Sequence, residues 1–477
     1  MTKFEKFAIM IIVNILNNVK DIFIMHKTKN LTEGNIYKNF FLFAIPLVLS
    51  QLLSLSYNIF DSMIAGKFIN NFAVGAVGAT YMYDLFILTL VGGFAVGFSI
   101  YISRVFGEKN YEKIKNDVIN VLIFIIGLLL IIALFSILFR NQIFSFFKID
   151  EEIERDAMIY FLIHKCGLVF ISLQGVFVHI LNALGLSSYV FIMSALSAVL
   201  NVCGNLVCVL GFGMGIEGLA LATVLSALIV VASYAVKLHF IFKELNVDKV
   251  KVKFSFDCLK QSFKFSLPTC IQQMVMYTSG ILITPSINAL GPAATTGYSV
   301  AYKMYNLPSE VYFAVSRTVG VYSAQSIGSK KYEGIQKGLF VGLFQSLIVS
   351  MPFLLVAVLG AKPVASIFFE NGYTGDAFTY SVNFAYYFLP FVVINVINNI
   401  SHNFFRGMKQ MTLLLISTGV GSISKLVLVL ALVPSLNIYG VFLGWTLSWF
   451  AEALFCIIVY IVKFGTKEKI IKVAMNS

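Results

Sequence analysis

Val118 to Phe139, Leu219 to Val236 and Leu413 to Leu432 are runs as long as a bilayer is thick, and only the last contains a charge, Lys425. A helix of about 20 apolar residues crosses the hydrocarbon core, so these runs commit the chain to lipid as its main solvent. Composition agrees, since 58% of the 477 residues are hydrophobic, 12% are charged and mean hydropathy is +0.86. A water-soluble chain of two to four domains could not bury that much apolar surface. The predicted class is an all-α integral membrane protein.

Breaking the chain at its charge and Gly/Pro clusters gives twelve spans, at residues 39–65, 72–103, 117–139, 157–184, 187–211, 216–242, 256–289, 293–326, 338–360, 377–405, 411–434 and 438–462. Lys and Arg in the connections set orientation. The N-terminus, the 104–116 loop, the 237–264 linker, the connections holding Lys330, Lys331, Lys337, Arg406 and Lys409, and the tail together carry 26 of the 35 basic residues. That side is expected to be cytoplasmic, with both termini on it and the protein in the plasma (inner) membrane. The expected organisation is a cytoplasmic segment (1–38), a first lobe (39–242), a cytoplasmic linker (243–255), a second lobe (256–462) and a cytoplasmic tail (463–477). Residues 1–24 lack a signal-peptide cleavage site; they read either as an over-extended start or as an interfacial amphipathic helix.

Several function classes drop out. The net charge of +12 is spread between apolar runs and forms no nucleic-acid module. Cys166, Cys203, Cys208, Cys258, Cys270 and Cys456 are scattered, and neither they nor the five histidines show metal-ligand spacing, so no disulfide, metal or cofactor is expected. Gly213, Gly215 and Gly218 fit G-x-G-x-x-G, but they follow a membrane span and no acid lies about twenty residues on. No P-loop and no nucleophile–base pair stands out, so no enzymatic activity is expected.

The chain repeats itself. Ile45-Pro46-Leu47 with Gln51 returns 222 positions later as Leu267-Pro268-Thr269 with Gln273, and Gly75, Met82 and Tyr83 meet Gly297, Met304 and Tyr305 at the same offset. Gly107-Glu108-Lys109 then meets Gly328-Ser329-Lys330 after a one-residue deletion. Each repeat holds six spans, so the two halves enter the membrane in the same sense. Pro46 and Pro268 each remove a helical hydrogen bond and are expected to kink the first helix of each lobe, as hinges.

The residues resemble the multidrug and toxic compound extrusion (MATE) family, through Leu31-Thr32-Glu33-Gly34-Asn35-Ile36, Phe43-Ala44-Ile45-Pro46-Leu47, Tyr57-Asn58-Ile59-Phe60-Asp61, Gly75-Ala76-Val77-Gly78-Ala79 and Gly218-Leu219-Ala220-Leu221-Ala222-Thr223. The resemblance implies a V-shaped pair of six-helix bundles exporting cationic or amphipathic small molecules by proton or sodium antiport with alternating access. The DinF-like bacterial branch is the nearest. It implies roles for Asp61 in the first span, for Thr223 in the sixth, and for an Asn-x-x-x-Asp pair in the fifth. Here that pair reads Asn201 to Asn205, so the second carboxylate is missing. The acids of the NorM-like branch have no counterpart, since Gln272, Gln273, Asn395, Asn398 and Asn399 occupy those spans.

A charge near the bilayer centre costs about 2.5 to 3.5 kcal/mol on insertion scales, so each one asks for a reason. A lone Asp61 would hold a proton when dry and release it when water or a cation arrives, which is the coupling an antiporter needs. The other reading is a carboxylate that only bonds its neighbours. Asn58, Asn201, Asn205 and Thr223 would surround Asp61 with neutral oxygens, or would be interhelical glue. With one acid in place of two, a proton is the preferred coupling ion over sodium. In the second lobe Glu310 and Arg317 lie two turns apart on one helix, too far to touch. Lys425 falls at the repeat position of Asn201 and is expected to form a neutralising pair with Glu452; a second coupling site at Glu310 or Lys425 is the alternative. Gln51, Gln273, Tyr386, Tyr387, Asn395, Asn398, Asn399 and His402 are candidates to line a substrate cleft. The expected partners are a small-molecule substrate and the bilayer, with no nucleic acid, and the protein is expected to be a monomer. The rival functions are a lipid-linked oligosaccharide flippase and a channel or receptor.

Overall fold

A computed structural model describes residues 28–64, 68–69, 76–77, 81–147, 149, 151–369 and 372–476, without the side chains of 55–63, 81, 82 and 152. The reading of residues 1–24 therefore lies outside the described residues, as do the side chains of Asn58 and Asp61. Among the described residues the chain is helical and contains no strand.

The spans appear in the expected order: Ile36–Ile64, Tyr81–Gly107, Tyr111–Leu138, a broken fourth span, Ser187–Leu206, Ile216–Glu244, Phe256–Asn288, Pro292–Gly328, Ile335–Leu359, a broken tenth span, Met411–Leu436 and Ile438–Val459. Among the described residues eight helices are long and apolar enough to cross a membrane, and the two broken pairs, each taken as one span, raise this to ten. The seventh and eighth helices are the longest, at 33 and 37 residues. They fall short only in hydropathy, because Lys260, Lys264 and Gln272 interrupt one and Lys303, Glu310 and Arg317 the other.

The fourth span consists of Glu151–Cys166 and Leu168–Ala183, bent by 54° at Gly167, and its repeat counterpart, the tenth, bends by 41° between Asp376–Tyr387 and Leu389–Gly407. Gly167 lies so close against the Val224 side chain that no Cβ fits there, and Pro390 leads the short 3-10 turn Leu389–Phe391 of the tenth span. The breaks above 40° lie here. Pro46 and Pro268 lie inside the continuous helices Ile36–Ile64 and Phe256–Asn288. Membrane helices tolerate proline where neighbours or local adjustment re-satisfy the freed carbonyl.

The helix ends also repeat. Lys109, Gly185, Asn246, Lys330 and Lys409, which follow the second, fourth, sixth, eighth and tenth spans, all have positive φ. At the last four of these ends a 6→1 bond closes the helix: Leu186 N–H to Leu181 O, Val247 to Phe242, Lys331 to Ser326 and Gln410 to Phe405. These are Schellman-type ends, which occupy carbonyls that the helix leaves open.

By contact the chain falls into two compact units. The first holds Leu49–Ile102 and Asn110–Ser262 with the residues before Leu31; the second holds Leu31–Val48, Ser103–Lys109 and Phe263–Ser477. In the first unit, Lys115 Nζ donates to the carbonyls of Val247 (3.0 Å), Asp248 (2.6 Å) and Val250 (2.8 Å). Asn116 Oδ1 accepts from Lys253 N and Asn120 Oδ1 from Ser255 N, both at 3.0 Å, so the third span grips the chain around Val247 to Ser255. In the second unit, Asn39 Nδ2 donates to the carbonyls of Leu31 and Glu33 and the Leu31 N–H donates to Gln325 Oε1, fixing the lead-in to the first helix. Gly107 packs on the Gln325 carbonyl and its repeat mate Gly328 on the Arg104 carbonyl, both too close to admit a Cβ. Arg104 and Gln325 are also repeat mates, so the two repeats make equivalent contacts here.

Candidate functional site

In the first unit the fifth and sixth spans approach closely at Gly204, where a Cβ would lie 3.1 Å from that of Ala222. That proximity brings three of the expected site residues together. Asn205 Nδ2 donates to Asn201 Oδ1 (3.0 Å), Asn201 Nδ2 to Thr223 Oγ1 (3.1 Å), and the Thr223 hydroxyl to the Leu219 carbonyl (3.0 Å). Asn201 and Asn205 are one turn apart on one face, and all three side chains are buried. Among the described residues the result is a directional chain of bonds between neutral groups that presents amide and hydroxyl oxygens. Asp61 and Asn58 belong to the first helix, but their side chains lie outside the description.

A second cluster in the same unit was not anticipated from the sequence. Lys165, with no exposed surface, forms an ion pair with Asp84, and His164 Nδ1 stands 3.7 Å from the other Asp84 oxygen. The ammonium faces the rings of Phe161 (4.9 Å) and Tyr83 (5.1 Å), and Tyr160 stacks on His164. An Asp in the second span and a Lys in the fourth are each costly alone; that shared cost was the available signal, but spacing along the chain does not say that they meet.

In the second unit the expected cleft residues are divided by the break in the tenth span. Tyr386 and Tyr387, before it, are exposed. Beyond it, Asn395, Asn398 and His402 are buried on one helix face, with Asn399 half-buried. Asn395 Nδ2 donates to the hydroxyls of Tyr305 (3.0 Å) and Tyr312 (2.9 Å), and Asn398 Nδ2 to the Trp449 carbonyl (3.1 Å). Gln51, in the first helix, and Gln273, in the seventh, are half-buried.

The pairing expected for Glu452 is corrected. Its partner is His402, at 2.9 Å from Nε2 to Oε1, and among the described residues Lys425 has no carboxylate within 4.0 Å. Helix register is the reason. The eleventh and twelfth spans pack antiparallel with Gly440 against Val433, Gly444 against Val429 and Glu452 against Gly421. Lys425 therefore falls opposite Ser448, one turn short of Glu452. Glu310 and Arg317 form no ion pair with each other, as their spacing predicted.

Arg406, read from the sequence as a residue of the cytoplasmic connection, is buried. Its Nη2 donates to Gln272 Oε1 (2.6 Å) and its Nη1 to Asn403 Oδ1 (3.0 Å), while Nε has no partner among the described residues. The sequence reading also passed over both tryptophans of the chain. Trp445 lies 4.7 Å from Tyr305, 5.9 Å from Tyr302, 6.1 Å from Tyr298 and 5.5 Å from Trp449 between ring centroids, and Lys425 Nζ sits 5.5 Å above it.

With this geometry in place, comparisons with known proteins become informative. The family model described as MatE matches residues 46–207 and 268–430, two copies that start at Pro46 and Pro268 with the 222-residue offset of the internal repeat. A probable multidrug resistance protein of Bacillus subtilis, YoeA, is 24% identical over 351 residues, covering 72% of this chain and 75% of that protein. The multidrug export protein MepA of Staphylococcus aureus is 23% identical over 329 residues, covering 68% and 72%. Among solved structures, the outward-facing conformation of a multidrug resistance MATE family transporter superposes with a TM-score of 0.84 at 18% identity, over 95% of this chain and 100% of the other. A MOP superfamily transporter from Pyrococcus furiosus superposes with a TM-score of 0.80 at 18% identity, over 95% and 100%.

Proposed function

This chain belongs to the MATE family of multidrug efflux transporters, and we propose that it exports small organic cations or amphipathic compounds by antiport, preferring protons over sodium as the coupling ion. Transport proceeds by alternating access between a first lobe (39–242) and a second lobe (256–462), with both termini cytoplasmic and the protein a monomer in the plasma membrane. The observation that carries the coupling scheme is the neutral network of Asn205, Asn201 and Thr223. It holds Asn205 where the family pattern has a second carboxylate, which leaves Asp61 as the one acid of that site. A single acid beside neutral oxygens exchanges a proton readily, whereas sodium favours more anionic oxygen ligands. Pro46 and Pro268 act as hinges in this cycle, and the multidrug names of the relatives support drug-like cargo.

The test is efflux of a fluorescent organic cation from liposomes under separately imposed proton and sodium gradients. The expected result is efflux driven by the proton gradient and abolished in Asp61→Asn. Unchanged efflux in that variant removes Asp61 from the mechanism. One observation favours a second reading: among the described residues buried Arg406 is held by amide oxygens alone, a setting that would accept an anionic headgroup, as a lipid-linked oligosaccharide flippase needs. Transport driven by neither gradient would favour the flippase.

A further inference from the structure

Mid-span lysines need a partner, and that of Lys425 is a ring. A mid-span ammonium without a counter-charge is costly, and Glu452, the carboxylate nearest in register, is engaged by His402. What Lys425 meets is the face of Trp445 at 5.5 Å, with Gly280 of the seventh helix alongside, where a Cβ would stand 4.0 Å from Nζ. Around Trp445 gather Tyr298, Tyr302, Tyr305 and Trp449. Electron-rich ring faces attract cations, most strongly at tryptophan and away from water. Trp445, Trp449 and Tyr305 are buried, whereas Tyr302 is 42% exposed and Tyr298 and Lys425 are half-buried, so the cluster has an open edge on the Tyr302 side.

We propose that the face of Trp445, within the ring cluster around it, is an organic-cation subsite that Lys425 occupies, so that a substrate cation binds there by displacing the Lys425 ammonium. The inference rests on the reading of the protein as an exporter of organic cations, and adds that the chain carries its own competitor for the site. A tethered cation keeps the subsite occupied between substrates, and its affinity subtracts from that of every cation that replaces it.

The measurement is equilibrium binding of tetraphenylphosphonium to the full-length protein purified in detergent. Lys425→Met, which keeps the length of the side chain and removes the charge, is expected to bind about tenfold more tightly than the parent, and Trp445→Leu about tenfold more weakly. Lys425→Arg retains a cation and is expected to bind as the parent does; should Trp445→Leu fail to fold, the contrast between Lys425→Met and Lys425→Arg carries the test. Equal or weaker binding in Lys425→Met overturns the proposal. If the parent exports the probe from liposomes while Lys425→Met and Trp445→Leu both bind it as the parent does, the subsite fails and the exporter reading stands. If no variant binds and none transports, both fall.

Discussion

The fifth span of the first unit and the eleventh of the second hold the same place in the repeat, yet one carries Asn201 in a chain of neutral amides and the other carries Lys425 against a tryptophan. Elsewhere the halves agree closely. Gly107 and Gly328 make the same contact, the fourth and tenth spans both break, and Lys109 and Lys330 end their helices in the same left-handed conformation. The difference teaches that duplication kept the backbone devices while the side chains at this one place in the repeat diverged, into a neutral amide in one half and a lysine in the other.

The strongest way to break this comparison is at the charged core. His402→Leu would leave Glu452 buried without a partner, a loss of about 3 to 5 kcal/mol, read as a lowered thermal unfolding temperature in detergent. Where the halves agree, effects should match. Gly107→Ala and Gly328→Ala each force a Cβ onto a backbone carbonyl and should each cost about 1 to 3 kcal/mol, within error of one another in the same assay. Very unequal losses would deny that the two contacts are equivalent. In the amide network, Asn201→Leu removes the bonds to Asn205 and Thr223 and should cost about 1 to 3 kcal/mol, less than His402→Leu. A loss as large as that of His402→Leu would show that the first core carries a charge through Asp61. The smallest effect is a gain: Lys109→Gly and Lys330→Gly relieve left-handed strain at φ 57° and 59°, and each should stabilise by about 1 kcal/mol or less.

Much of this arrangement was legible in the sequence. The span order and the repeat followed from apolar length and a constant offset, and Asn201, Asn205 and Thr223 could be grouped because an i, i+4 pair shares a face and the next span is adjacent. What escaped were meetings between distant spans. Asp84 and Lys165 lie 81 residues apart, and nothing local marks either as the other's partner. Arg406 looked like one more topology charge because it stands five residues before a helix start at Met411, but the helix that carries it turns it inward onto Gln272.

By itself the sequence determined the solvent, the number and order of the spans, their duplication and the family, because each depends on apolar length, charge placement and short motifs that reside in contiguous residues. Tertiary structure alone decided which buried charges meet. A one-turn difference in register between two antiparallel helices gave Glu452 to His402 and left Lys425 to Trp445. That register is set by where Gly440, Gly444 and Gly421 let the helices close, and it shifts partners by whole turns without changing a single residue of either span.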